Sequence, residues 1–149
     1  MKTKHIFISV ILATFFFAST STTQAQSKEE TIEWIKRKLE RNFNNNSFKY
    51  VRVKATVEPC MIILETYFND TDFYRWYIPT GSETYIEKYS DGFHIRGGFK
   101  VEEHFPNSKT KFFVNKSWSY YKILTKEENL GERMEKAIRH LNTFCKETF

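Results

Sequence analysis

His94 and His104 are the side chains of this sequence best suited to chemistry, and Glu102-Glu103 stands directly before the second of them. Two imidazoles and a carboxylate could hold zinc if a sheet brought them together, since zinc accepts tetrahedral nitrogen and oxygen ligands. Their spacing matches no compact ligand motif, and His94 lies opposite Phe93 and Ile95 in strand alternation. Glu102-Glu103-His104 therefore reads as a polar edge or loop, and neither a metal nor an organic cofactor is expected. Nucleophilic catalysis is no better marked. Cys60 sits in Glu58-Pro59-Cys60-Met61 without a nearby base, and no serine occupies a recognisable elbow. Carboxylates are spread along the chain, but no pair stands out as acid and base.

Binding chemistry has two candidates. Arg96-Gly97-Gly98-Phe99-Lys100 places glycine amides between two cations, a pattern that can cradle an anion. The plainer reading of Gly97-Gly98 is a bulge or bend in a strand. Trp76, Trp118 and Tyr120, with Tyr74 and Tyr121 beside them, could form an aromatic recognition surface, because such rings lose little entropy on binding. Trp118 and Tyr120 fall on one strand face and Tyr121 on the other, so at least one group packs inward. The candidate ligand-binding set is therefore Arg96, Gly97, Gly98, Lys100, Trp76, Trp118 and Tyr120.

The two cysteines, Cys60 and Cys145, allow one internal disulfide in an oxidising compartment. Their settings favour the alternative. Cys145 continues the apolar stripe of a helix and Cys60 heads an apolar strand, where free thiols behave as small buried hydrophobes.

The compartment is read from the first residues. Lys2 and Lys4 precede an apolar run from Ile6 to Ala18, and Thr23 and Ala25 put small side chains at alternate positions before Gln26. This is the layout of a cleavable export signal over residues 1–25. The run is short of the roughly 20 residues that a membrane-crossing helix needs, so no stable span is expected after cleavage. Residues 26–149 then form one domain, with Lys2 and Lys4 removed and the net charge reduced from +5 to +3. Basic residues alternate with acidic ones along this stretch, as on a solvated face, and nucleic acid is not an expected partner. After Phe7, Phe15, Phe16 and Phe17 leave, 11 Phe, 8 Tyr and 3 Trp remain to build a core.

The elements that must position these residues follow from periodicity. Ser27-Lys28-Glu29-Glu30 is a capping box, and Ile32, Ile35, Leu39 and Phe43 recur at helical spacing, which predicts a helix over about 28–41. Asn42 to Ser47 is a polar turn. The period then switches to two. Val51–Val57, Cys60–Tyr67, Phe73–Ile78, Thr84–Tyr89, Phe93–Arg96, Lys111–Asn115 and Trp118–Leu124 read as strands, with Asp91-Gly92 as the sharpest hairpin turn. Thr125-Lys126-Glu127-Glu128 reads as a second capping box, opening an amphipathic helix lined by Leu130, Met134, Ala137, Ile138, Leu141 and Cys145. The fold class is α+β. A helix, about seven mostly antiparallel strands and a C-terminal helix predict a bent sheet or a barrel of pleckstrin-homology type.

Both ends resemble a group of small exported or periplasmic proteins of Bacteroidetes-type bacteria. Thr31-Ile32-Glu33-Trp34-Ile35-Lys36-Arg37-Lys38-Leu39 carries the likeness in the first helix. Glu132-Arg133-Met134-Glu135-Lys136-Ala137-Ile138-Arg139-His140-Leu141, followed by Cys145, carries it in the last. Ile138 stands where such proteins often look to carry Phe, a change an apolar site absorbs. The resemblance implies export and architecture, and brings no activity with it. The expectation is a non-enzymatic periplasmic or secreted module for a protein, a peptide or a small amphipathic ligand, with a secreted hydrolase as the alternative.

Overall fold

The computed structural model describes residues 27–42, 51–105 and 118–145. The export signal, the polar turn after Asn42 and the expected strand Lys111–Asn115 lie outside the described residues.

The first helix, α1 (Lys28–Asn42), begins as its capping box requires. The Glu30 amide donates to Ser27 Oγ at 3.1 Å, and the Ser27 amide donates to Glu30 Oε2 at 2.9 Å. Two amides that no helical carbonyl can reach are satisfied reciprocally. Ile35 and Leu39 on the apolar stripe are buried in the core, and Ile32 and Trp34 pack against its margin. No described helix is long and apolar enough to cross a membrane.

Six strands follow: β1 (Arg52–Glu58), β2 (Met61–Tyr67), β3 (Phe73–Pro79), β4 (Tyr85–Tyr89), β5 (Gly92–His104) and β6 (Trp118–Leu124). All pairings are antiparallel, in the order β1-β2-β3-β5-β4 with β6 also on β5. The bulge expected at Gly97-Gly98 is present, but it does not end the strand, which was expected to stop at Arg96. β5 runs through it, with a register shift between Arg96 and Phe99 against β6. β3 takes the Lys100–His104 half and β4 the Gly92–Arg96 half, so two successive strands share β5 end to end. Glycine is required at position 97, where φ is +156°. A Cβ there would come within 3.0 Å of both the Phe99 ring and Thr84 Oγ1.

The barrel of pleckstrin-homology type is not formed. β1 pairs with β2 alone and no ladder joins it to β4 or β6, so the described sheet stays open. The physical reason lies at the edge. The Ala55 amide, on the margin of β1, donates to Glu40 Oε1 of α1 at 3.0 Å instead of to another strand. A helix side chain has taken a bond that barrel closure would need, which is also how an edge strand is kept from pairing outside the domain.

The second helix, α2 (Leu130–Asn142), lies beside α1 over the same sheet face. Leu130, Met134, Ala137, Ile138 and Leu141 complete a core with Ile62, Leu64, Ile78, Phe93, Ile95 and Ile123. Its expected capping box forms differently. The helix starts at Leu130 after Asn129 in a left-handed conformation (φ 57°), and no side chain caps it. Thr125 Oγ1 instead accepts the Glu127 amide at 3.0 Å, a local turn, and donates to Asn42 Oδ1 of α1 at 2.9 Å. Glu127 turns to α1 as well, meeting Lys38 Nζ at 2.6 Å, while Arg133 joins the same carboxylate at 2.9 Å. The capping residues thus became the clasp between the helices.

Cys60 and Cys145 are joined in a disulfide, with Cα atoms 5.0 Å apart. The free-thiol expectation misjudged both environments. Cys60 is exposed in the two-residue β1–β2 turn, and Cys145 lies past the end of α2, off its buried stripe.

Candidate recognition face

With both helices on one side, period two sends every second strand residue to the other, where no described element covers it. That open face is ordered in cross-strand rows. Arg52, Tyr67, Phe73 and His104 stand in register across four strands. The Arg52 guanidinium lies 4.1 Å from the Tyr67 ring, Tyr67 4.9 Å from Phe73, and Phe73 stacks on His104 at 4.5 Å. The next row alternates in charge, Lys54, Glu65, Arg75 and Glu102. Arg75 meets Glu65 at 2.6 Å, and Lys100 meets Glu102 at 2.8 Å. Burial pushes the Glu65 carboxyl up, but Arg75 and the Tyr67 hydroxyl overcome it and leave the group below the usual carboxylate range. The Lys100 ammonium lowers Glu102 likewise.

The other half of the face is more aromatic. Tyr85, Arg96 and Tyr120 form one row across β4, β5 and β6, and Glu87, His94 and Lys122 form the next. His94 is held between Tyr89, 4.4 Å away, and Tyr120, stacked at 4.6 Å, while Arg96 lies 4.9 Å over Tyr120. Glu87 binds Arg96 at 2.5 Å. The Tyr89 hydroxyl, with Arg96, holds the Glu87 carboxyl below its ordinary value. Burial, assisted by the Arg96 charge, pushes the His94 imidazole below its ordinary value. Tyr85, Tyr89 and Tyr120 are nevertheless 52%, 45% and 40% exposed, the largest exposed aromatic group among the described residues. The result is a stiff ridge. Within it the Tyr120 ring is stacked on His94 and approached by Arg96, and the Tyr89 ring leans on the same imidazole.

The residues singled out in the sequence divide between this face and the core. Arg96, Gly98 and Lys100 alternate outward along β5, but Arg96 is neutralised by Glu87 and Lys100 by Glu102, so no bare cationic cradle is assembled around Gly97-Gly98. Trp76 belongs to the core at 9% exposure. Its indole N–H donates to Thr66 Oγ1 at 3.2 Å, and its ring packs edge-on to Tyr121 at 5.2 Å. Tyr120 belongs to the ridge, and Trp118 is placed by its pairing with Phe99. His94 and His104 sit at opposite ends of β5, on the order of 30 Å apart at strand rise, and share no site. No cluster of metal-binding side chains occurs among the described residues.

Tyr85 and Tyr89 were missed by the motif reading. Their signal was the alternation of Tyr85-Ile86-Glu87-Lys88-Tyr89, in which buried Ile86 fixes both tyrosines as outward.

No protein-family model, curated protein or solved structure matches this chain. The ridge must be interpreted from its own geometry. It has no unpaired nucleophile, no acid and base converging on a cavity and no concentrated charge. What it offers is rigid aromatic area at low entropic cost.

Proposed function

We propose that this protein is an exported, non-enzymatic recognition domain that binds a protein or peptide across the helix-free face of its sheet. The observation that carries this reading is the exposure of Tyr85, Tyr89 and Tyr120 on one preorganised ridge. Tyrosine is enriched at the energetic centres of protein interfaces because it brings large area with two rotatable angles. The Tyr120 ring, already stacked on His94 and approached by Arg96, favours a flat polypeptide contact over stacking of a sugar or nucleobase. The paired charges of the neighbouring rows form a polar rim around it. Export rests on the leader over residues 1–25, and the mass of the secreted chain tests cleavage before Gln26.

Selection of the mature domain against a displayed peptide library, followed by calorimetry on synthetic binders, tests the reading. Tyr89→Ala and Tyr120→Ala should each weaken binding about tenfold or more, as truncation of interface anchors does. Binders that ignore both substitutions would refute it. So would reproducible turnover in a hydrolase panel that disappears on substitution of one polar residue.

A further inference from the structure

A cleft of about 290 Å³ opens between the β3–β4 turn and the C-terminal half of α2. Small-molecule sites begin near this size, so the space suits a ligand of metabolite dimensions. Glu135, Ile138, Arg139 and Asn142 recur at helical spacing and present one face of α2 to it. Buried Ile86 and Ile138 supply an apolar floor. The rim is polar: the Thr80 hydroxyl lies 3.4 Å from Asn142 Oδ1, Ser82 is exposed beside it, and exposed Arg139 meets half-buried Glu135 at 2.8 Å.

The walls are fastened to each other. The Thr80 amide donates to the Cys60 carbonyl at 3.1 Å, and its hydroxyl donates to the Pro59 carbonyl. On the opposite wall, the Cys145 amide donates to the Asn142 carbonyl at 2.9 Å. The Cys60–Cys145 bond therefore ties the turn-side wall to the helix-side wall. A cleft held open by a covalent tie loses little entropy when a ligand enters, which is what preorganisation contributes to affinity.

We infer that this cleft binds a small zwitterion of amino-acid type with an apolar side chain. The rim carries one cation and one anion side by side, so a carboxylate meets Arg139, an ammonium meets Glu135 and the side chain covers the isoleucine floor. A ligand of single charge gains one partner and is opposed by the other. Arg139 has spare N–H donors beyond the one given to Glu135, and the carboxylate has further acceptor capacity. The site is distinct from the tyrosine ridge and borders it only at Tyr85.

Amide NMR titration of the oxidised mature domain tests this with three probes: L-leucine, 4-methylpentanoate and 3-methylbutylamine. The expected result is saturable shifts for L-leucine at millimolar concentration, confined to residues 80–86 and 135–142, with the single-charge probes at least severalfold weaker. Ser82→Trp, at an exposed rim position, should abolish the shifts without moving the urea midpoint. No saturation by L-leucine, equal response to a single-charge probe, or shifts that persist in Ser82→Trp would each overturn the assignment. None of these results bears on peptide binding by the ridge.

Discussion

Removal of the Cys60–Cys145 disulfide is the perturbation whose magnitude follows most directly from the structure. The bond closes a loop between residues 85 apart in sequence. Loop-entropy reasoning assigns such a closure about 4–5 kcal/mol at 25 °C, because the unfolded chain loses the conformations in which its ends are distant. Few contacts would be lost from the native state, since both cysteines lie outside the core. The double variant Cys60→Ser/Cys145→Ser should therefore fold, with its urea midpoint lowered by roughly 2–3 M at an ordinary urea dependence. Its denaturant dependence should also steepen, as an uncrosslinked chain exposes more surface on unfolding. Urea titration of the oxidised wild type and the double variant reads both quantities. A preceding mass measurement under non-reducing conditions should find the wild type short of two hydrogens. A full mass, or a destabilisation below about 1 kcal/mol, would refute the argument that the cross-link acts mainly on the unfolded chain.

Four other outcomes are expected. Trp76→Ala should cost about 3–5 kcal/mol in thermal or urea unfolding, as large core truncations do. Tyr120→Ala should cost about 1 kcal/mol or less and register in binding instead, and a reversed order would place the two rings wrongly. Gly92→Ala should destabilise by about 1–3 kcal/mol, because φ there is +155° and a Cβ would collide with the Ile123 carbonyl oxygen; an unchanged urea midpoint would contradict this. On acidification, stability should fall in two stages. His94 is depressed below 6.5, so its contribution is complete above that value and drains as the pH falls toward its folded pKa. Glu127, held down first by Lys38, and Glu102, held down first by Lys100, contribute fully above 4.5 and are lost as the pH drops through their folded values. A urea midpoint that stays level across the acid range would contradict both stages.

Local rules were enough where local bonds decide the outcome. Ser27 and Glu30 form the box their spacing required, and β2 and β3 run almost where alternation put them. The same capping pattern misled at Thr125, because its amide, which Glu128 would have accepted to close the box, donates to the Asp91 carbonyl at 3.0 Å. That competitor is distant in sequence and leaves no local trace. At Gly97-Gly98 the expected bulge is present, and only the strand bound at Arg96 was too short. A glycine pair announces a departure from regular strand geometry but not whether pairing resumes beyond it, and β3 recaptures β5 from Lys100 onward. The cysteines were misplaced because the apolar stripe of α2 was carried one turn past its real end at Asn142. Alternation put Tyr121 on one face of its strand and Tyr120 on the other, but it did not say which face the helices cover. Only tertiary packing makes the first a core residue and the second a surface one.

That dependence on packing explains why both candidate sites trace back to β5. Its residues Phe93, Ile95, Phe99 and Val101 point into the core under the helices, which leaves His94 and Arg96 between the tyrosines of β4 and β6. The ridge is therefore stiff because the strand beneath it is anchored from the opposite side. At Gly97 the missing side chain lets Thr84 approach the strand, and this approach seats the turn that forms one wall of the cleft. A bulge that pairing alone would treat as an imperfection thus sets where the β3–β4 connection rests.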